Sequence, residues 1–254
     1  MRLKEYLTAV CPIGYLSPDT KKWVIGGTGF FAITITDDNP ARSTRRTFFI
    51  TAAHIIDKLY TQNFESVIGI AGGDAHNTES IFIIKESRKH IEFSLHLKDD
   101  IAFADVTKAV ADLTSFPKKI PDLDKDFWSL SDLREEQVEE GNDVFLLGYP
   151  RGDNGGAILS PLVRKGVMAN VRDVISGLSP KAAVAVTSAP GDSGGLILAG
   201  RIEDTSRQLK ILGTLVSYRV AGETSGQDIV YGISDIGLAE FVKNHIHDFV
   251  QGRR

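Results

Sequence analysis

Gly191-Asp192-Ser193-Gly194-Gly195 is the stretch on which the reading of this chain turns. A serine set among glycines sits on a turn tight enough to expose its hydroxyl. Successive backbone N–H groups in such a turn converge on one point, which suits an oxyanion. Alone the string is weak, because Gly and Ser fill loops everywhere. It gains meaning only with a base and an orienting acid elsewhere in the chain.

Two further stretches supply them. In Phe48-Phe49-Ile50-Thr51-Ala52-Ala53-His54 an apolar strand runs into two small residues and then a histidine. Small residues let neighbouring backbone approach, and the imidazole is left at the strand's end, so His54 is the candidate base. In Asp99-Asp100-Ile101-Ala102-Phe103 an acid stands where a loop enters an apolar run. Asp100 is the candidate orienting acid, and Asp99 reads as a solvated turn acid.

On either side of these stretches, short apolar runs recur with turn punctuation between them. Residues 23–36, 47–51, 67–71, 81–84, 91–97, 144–147, 163–167, 183–187, 211–217 and 229–233 read as strands. In one of them Ile91, Phe93, Leu95 and Leu97 alternate with Glu92, Ser94 and His96, which puts His96 on the solvated face. Many short strands at this spacing predict a sandwich or barrel. Residues 116–140 carry Pro117, Pro121 and many charges, and read as a linker over the surface, with Glu135, Glu136, Glu139 and Glu140 on a solvated face. Leu238, Phe241, Val242, Ile246 and Phe249 form one apolar helical stripe that Ser234 or Asp235 would cap.

Composition narrows the function classes. The 254 residues carry 29 basic and 33 acidic side chains, a net charge of -4, which argues against nucleic acid as a partner. The single cysteine, Cys11, excludes an intramolecular disulfide and leans toward a reducing, cytoplasmic setting. No apolar run reaches the roughly 18 residues of a membrane span, so no membrane association is expected. Residues 6–16 are too weakly apolar for a signal peptide and read as part of an N-terminal arm, 1–21, packed on the domain. His76 and His90 fall in turn-like regions, His245 and His247 of the terminal helix lack a Cys or acidic partner at ligand spacing, and no phosphate-cradling Gly-x-x-x-x-Gly-Lys string occurs. Neither metal nor cofactor is expected.

Taken together, Thr51-Ala52-Ala53-His54, Asp100-Ile101-Ala102 and Gly191-Asp192-Ser193-Gly194-Gly195 resemble the motifs of the chymotrypsin-like (trypsin-fold) serine proteases, in that family's order. The spacings, 46 residues from His54 to Asp100 and 93 from Asp100 to Ser193, are typical of it. Gly27-Thr28-Gly29-Phe30-Phe31 looks like the strand before the catalytic histidine. Residues 138–150 and 163–170 look like the start of the second barrel in the bacterial HtrA/Deg branch, without a PDZ-like segment after it. The resemblance covers about residues 22–250.

The resemblance implies an all-β fold of two six-stranded antiparallel β-barrels with a C-terminal α-helix. Within a single peptidase domain the divisions would be the arm, a first barrel at 22–115, a linker at 116–140, a second barrel at 141–233 and a helix at 234–250. It implies a bacterial serine endopeptidase acting on protein or peptide substrates through His54, Asp100 and Ser193, with the N–H groups of Gly191 and Ser193 as oxyanion hole. Ser217 matches a position that hydrogen-bonds the triad acid. The backbone of Val216, Ser217, Tyr218 and Arg219 would pair with substrate as an added strand. Thr187 stands at the pocket floor, which is not acidic, so small or medium apolar residues would be preferred; Arg219 would narrow the entrance. Val24-Ile25-Gly26-Gly27 looks like an activation cleavage site, yet too few residues separate it from the strand before His54 for a new terminus to reach Asp192. Asp192 would then need another partner, and an activating protein partner docking on a resting site is the alternative. Two other functions stay open: a non-enzymatic partner-binding module on this fold, and an esterase using the same triad. No oligomeric state is read from the sequence.

Overall fold

The computed structural model describes residues 3–19, 23–35, 44–62, 66–71, 81–85, 91–111, 116–117, 119–135, 138–150, 161–179, 181–200, 209–219 and 230–253. Leu3–Ala9 (α1) leads into Val10–Leu16 (β1), Trp23–Ile35 (β2) and Arg45–Ala52 (β3). Ala53–Thr61 (α2), Ser66–Ala71 (β4), Ile81–Lys85 (β5), Phe93–His96 (β6), Ile101–Asp105 (β7) and Thr107–Val110 (α3) follow. These strands form one seven-stranded sheet in the order β5-β4-β1-β2-β3-β7-β6.

After Leu130–Glu135 (α4) come Asp143–Gly148 (β8), Leu162–Asn170 (β9), Arg172–Ile175 (α5), Lys181–Ser188 (β10), Leu196–Ala199 (β11), Lys210–Arg219 (β12) and Val230–Leu238 (β13). They close into a six-stranded barrel, β10-β13-β12-β11-β8-β9. Strand β10 shows the period-two logic of a barrel wall: Ala182, Val184, Val186 and Ser188 are buried, while the residues between them are partly exposed. The chain ends in Ala239–Val250 (α6).

Three expectations are corrected. The N-terminal stretch is not an arm: β1 lies inside the first sheet, antiparallel to β2 and β4, with Val10, Cys11 and Ile13 buried. The Gly14 that broke its apolar pattern marks a register shift, where a Cβ would lie 1.9 Å from the Val24 carbonyl oxygen. The connecting segment does not run over the surface. Ile120, Leu123, Phe127, Trp128, Leu133 and Val138 are buried. Leu123 N–H donates to the Ile33 carbonyl at 2.8 Å, and Trp128 N–H to the Ile211 carbonyl at 2.9 Å, which ties β2 to β12 through this segment. Finally, Ser234 and Asp235 lie within β13, paired with β10 and β12, so they are committed to the ladder and the helix starts at Ala239 without a side-chain cap.

The two units share one apolar cluster. Phe30, Ile50 and Phe103 of the sheet, Phe145, Leu147 and Leu196 of the barrel, Phe127 of the connection, and Tyr6, Val242 and Ile246 of the terminal helices all join it. Phe249 of α6 packs edge-on against Phe48 and Phe103. Burying side chains of this size is the main source of stabilisation, about 1.5–3 kcal/mol for each.

Candidate active site

Strands β3 and β7 pair Thr51 with Ala102 and Ala52 with Ile101, so the end of one lies beside the start of the other. That brings His54, just after β3, to Asp100, just before β7. Ala53 N–H donates to the Asp100 carbonyl at 3.1 Å. The Asp100 carboxylate accepts the His54 backbone N–H on Oδ1 at 2.8 Å and faces the imidazole Nδ1 with Oδ2 at 2.8 Å. Asp100 adopts a left-handed φ of 55°, which Asp tolerates better than most side chains. Its side chain is 18% exposed and that of His54 48%, an acid sheltered behind a ring that faces water. The Nε2 atom has no partner among the described residues.

The Ser193 turn lies on the barrel side. Gly191 and Gly194 have φ of 99° and 82°, left-handed values that only glycine adopts cheaply. Gly194 N–H donates to the Leu215 carbonyl at 2.7 Å, and Leu215 N–H to the Gly195 carbonyl at 2.8 Å. The N–H groups of Gly191 and Ser193 have no partner among the described residues. The turn is pressed against the strand that delivers His54: a Cβ on Gly194 would lie 2.0 Å from the Thr28 carbonyl oxygen and 3.0 Å from Ala52 nitrogen. This close approach requires glycine at 194.

Thr28, which the sequence reading passed over as part of a glycine-rich strand, is the joint between the halves. Its N–H donates to the Ser193 carbonyl at 2.8 Å and its hydroxyl to the Gly191 carbonyl at 2.7 Å. The same hydroxyl accepts Tyr149 N–H at 2.8 Å, and Thr51 Oγ1 donates to the Thr28 carbonyl at 2.6 Å. No hydrogen bond joins Ser193 Oγ to His54.

Asp192 is fully buried, and its partner is Arg164 on β9, whose two terminal nitrogens meet both carboxylate oxygens. Ala189 N–H adds a bond to Oδ2 at 2.7 Å. Burial pushes the Asp192 carboxyl up, and Arg164 and the Ala189 N–H pull it back without fully offsetting that rise. Period two on β9 offered a signal: of the adjacent Arg164 and Lys165, one had to point inward. Val24-Ile25-Gly26-Gly27 lies inside β2, paired with β1, and supplies nothing to Asp192.

Of the expected substrate-side residues, Thr187 is partly exposed on β10 and Val216 is buried. The backbones of Tyr218 and Arg219 pair with Ser234 and Ile233, and their side chains lie outside the described residues. Ser217 is a correction: its hydroxyl donates to Asp235 Oδ2 at 3.1 Å, not to Asp100, because the register of β12 and β13 sets it directly opposite Asp235. Asp99 and His96 are corrected too. Asp99 Oδ2 bonds His245 Nε2 at 2.9 Å, and the His96 ring stacks on His245 at 3.7 Å. Glu140 is engaged as well, its carboxylate accepting the N–H groups of Val171 and Arg172. His76 and His90 lie outside the described residues. Among the described residues no group of three or more metal-ligating side chains occurs, and no helix is long and apolar enough to cross a membrane.

No family model matches the chain, and no curated protein does. Solved structures do match. The chain is similar to an HtrA-type protease, AlgW, solved with a tripeptide, at a TM-score of 0.56 and 11% identity over 98% of this chain. The match covers 62% of that protein's chain. At this identity the likeness is one of fold: a barrel and a second β sheet in the chymotrypsin-like arrangement, with a C-terminal helix.

Proposed function

We propose that this chain is a serine endopeptidase. The observation that carries the reading is the two-point hold of Asp100 on His54, at backbone N–H and at Nδ1, on a chymotrypsin-like fold. That hold fixes the tautomer with Nε2 as the base. A bound peptide excludes water and draws Ser193 Oγ to Nε2; His54 takes its proton as Oγ attacks the carbonyl carbon. The unpartnered N–H groups of Gly191 and Ser193 then receive the negative oxygen. His54 returns the proton to the leaving amine, and water repeats the sequence on the acyl-enzyme. The backbone of β12 from Val216 to Arg219 would align the peptide as an added strand. A floor of Thr187 rather than an acid favours small or medium apolar residues before the scissile bond.

A peptide library tests this. Wild type is expected to cut after small or medium apolar residues, and Ser193→Ala to lose at least about 1,000-fold of the rate. Cleavage that survives Ser193→Ala at a tenth of the wild-type rate overturns it. Thr187→Asp is expected to shift preference toward Lys and Arg.

A further inference from the structure

We propose that Arg164 is the positioning residue that keeps the Ser193 turn competent: by clamping the Asp192 carboxylate it holds the N–H groups of Gly191 and Ser193 on one point. The inference rests on the peptidase reading above and adds the device that maintains its oxyanion hole. Asp192 is the residue between the two donors, so a rotation of its backbone swings both of them. Its side chain is the anchor against that rotation. Arg164 meets both carboxylate oxygens from β9, and Ala189 N–H holds Oδ2 at 2.7 Å. Asp192 N–H returns a bond to the Ala189 carbonyl at 3.0 Å, closing the turn just before Ser193.

The surroundings are shaped for this pair. Gly148 on β8 lies against it: a Cβ there would be 2.6 Å from Asp192 Oδ1 and 3.4 Å from Arg164 Nη2. Arg164 Nε is buried with no partner among the described residues, while both terminal nitrogens are aimed at Asp192. Stability alone does not account for such an arrangement, since buried ion pairs are often matched by apolar residues of similar volume. Lys165, the next cation along, is no substitute, because it is exposed and pairs with Asp143 at 2.9 Å. The cation that sets the turn is therefore part of the barrel wall, and the site needs no arriving charge to assemble.

The test compares steady-state peptide hydrolysis and fluorophosphonate labelling in wild type, Arg164→Gln, Arg164→Gln/Asp192→Asn and Gly148→Ala, each checked by circular dichroism. In folded Arg164→Gln, kcat and the labelling rate are expected to fall by about 100-fold, the scale of a lost oxyanion donor. KM should move much less. The double variant, in which two neutral amides replace the ion pair, is expected to regain part of the loss. Gly148→Ala keeps both charges but displaces the carboxylate, and is expected to lower kcat as well; it carries the test if Arg164→Gln does not fold. Wild-type kcat in folded Arg164→Gln or in Gly148→Ala overturns the inference, as does a loss expressed wholly in KM. A wild type that neither cuts peptide nor labels overturns the peptidase reading itself, and the inference with it, so the two failures are distinguishable.

Discussion

Thr28 concentrates at one residue what holds the candidate site together. Four hydrogen bonds meet on it, linking Gly191, Ser193, Thr51 and Tyr149, and it is fully buried. Thr28→Val keeps the shape but removes the hydroxyl, leaving the Gly191 carbonyl and Tyr149 N–H unpaired in the interior. Each such group costs about 1–3 kcal/mol, so urea denaturation is expected to show a loss of about 3 kcal/mol, and peptide turnover a fall with it. Thr28→Ser retains the hydroxyl and is expected to lose less than about 1 kcal/mol. Equal losses in the two variants would contradict the network. At Asp100 the expectation is kinetic. Asp100→Asn keeps the size but donates a hydrogen where the carboxylate accepted one, reversing the His54 tautomer. Turnover should fall by about 10,000-fold with the melting temperature little changed. Asp99→Asn alters the His245 bond and the charge beside His96, and is expected to stay within tenfold of wild type.

Among the elements, the contact of β6 and the Asp99 turn with α6 carries a pH signature. His96 sits against His245 and Phe103, with Asp99 bonded to His245. Burial, then the neighbouring His245, lower the His96 pKa below its ordinary 6.5, with Asp99 pulling the other way. The unfolded chain therefore binds the proton more readily than the folded one. The stabilisation is present above the unfolded-state value and is lost as the pH falls through the folded one. Unfolding free energy measured by urea at several pH values between 7 and 5 is expected to decline. His96→Phe, which keeps a stacking ring, should flatten the decline; an unchanged slope would place its origin elsewhere. The elements also show what a sequence makes legible. Ten strands were readable because alternation and turn residues mark them. β1 was missed because Pro12 and Gly14 break the pattern, although Gly14 is where the strand shifts register against β2. The buried connection was missed because its prolines and charges outnumber anchors such as Leu123 and Phe127. His54, Asp100 and Ser193 stood out because the chemistry proposed for them demands fixed residue types. Arg164 did not, since any cation on a strand looks solvated until the turn it faces is known.

In the molecule as a whole, sheet and barrel are joined by a shared core, a stitched connection and the Thr28 network, so the candidate site is assembled from parts that cannot separate without exposing that core. The same integration bears on activation. Val24 pairs with Tyr15 within the first sheet, and Asp192 is already held by Arg164. Intact-mass measurement on turning-over protein is expected to show the Trp23–Val24 bond uncut; an active form beginning at Val24 or Ile25 would contradict this. Whether Ser193 is a nucleophile made reactive by His54 and Asp100 is decided by treating wild type, Ser193→Ala and His54→Ala with a fluorophosphonate and mapping the adduct by peptide mass spectrometry. One adduct, on Ser193, in wild type alone is expected. An unmodified Ser193 in folded wild type, or equal modification in His54→Ala, would contradict it.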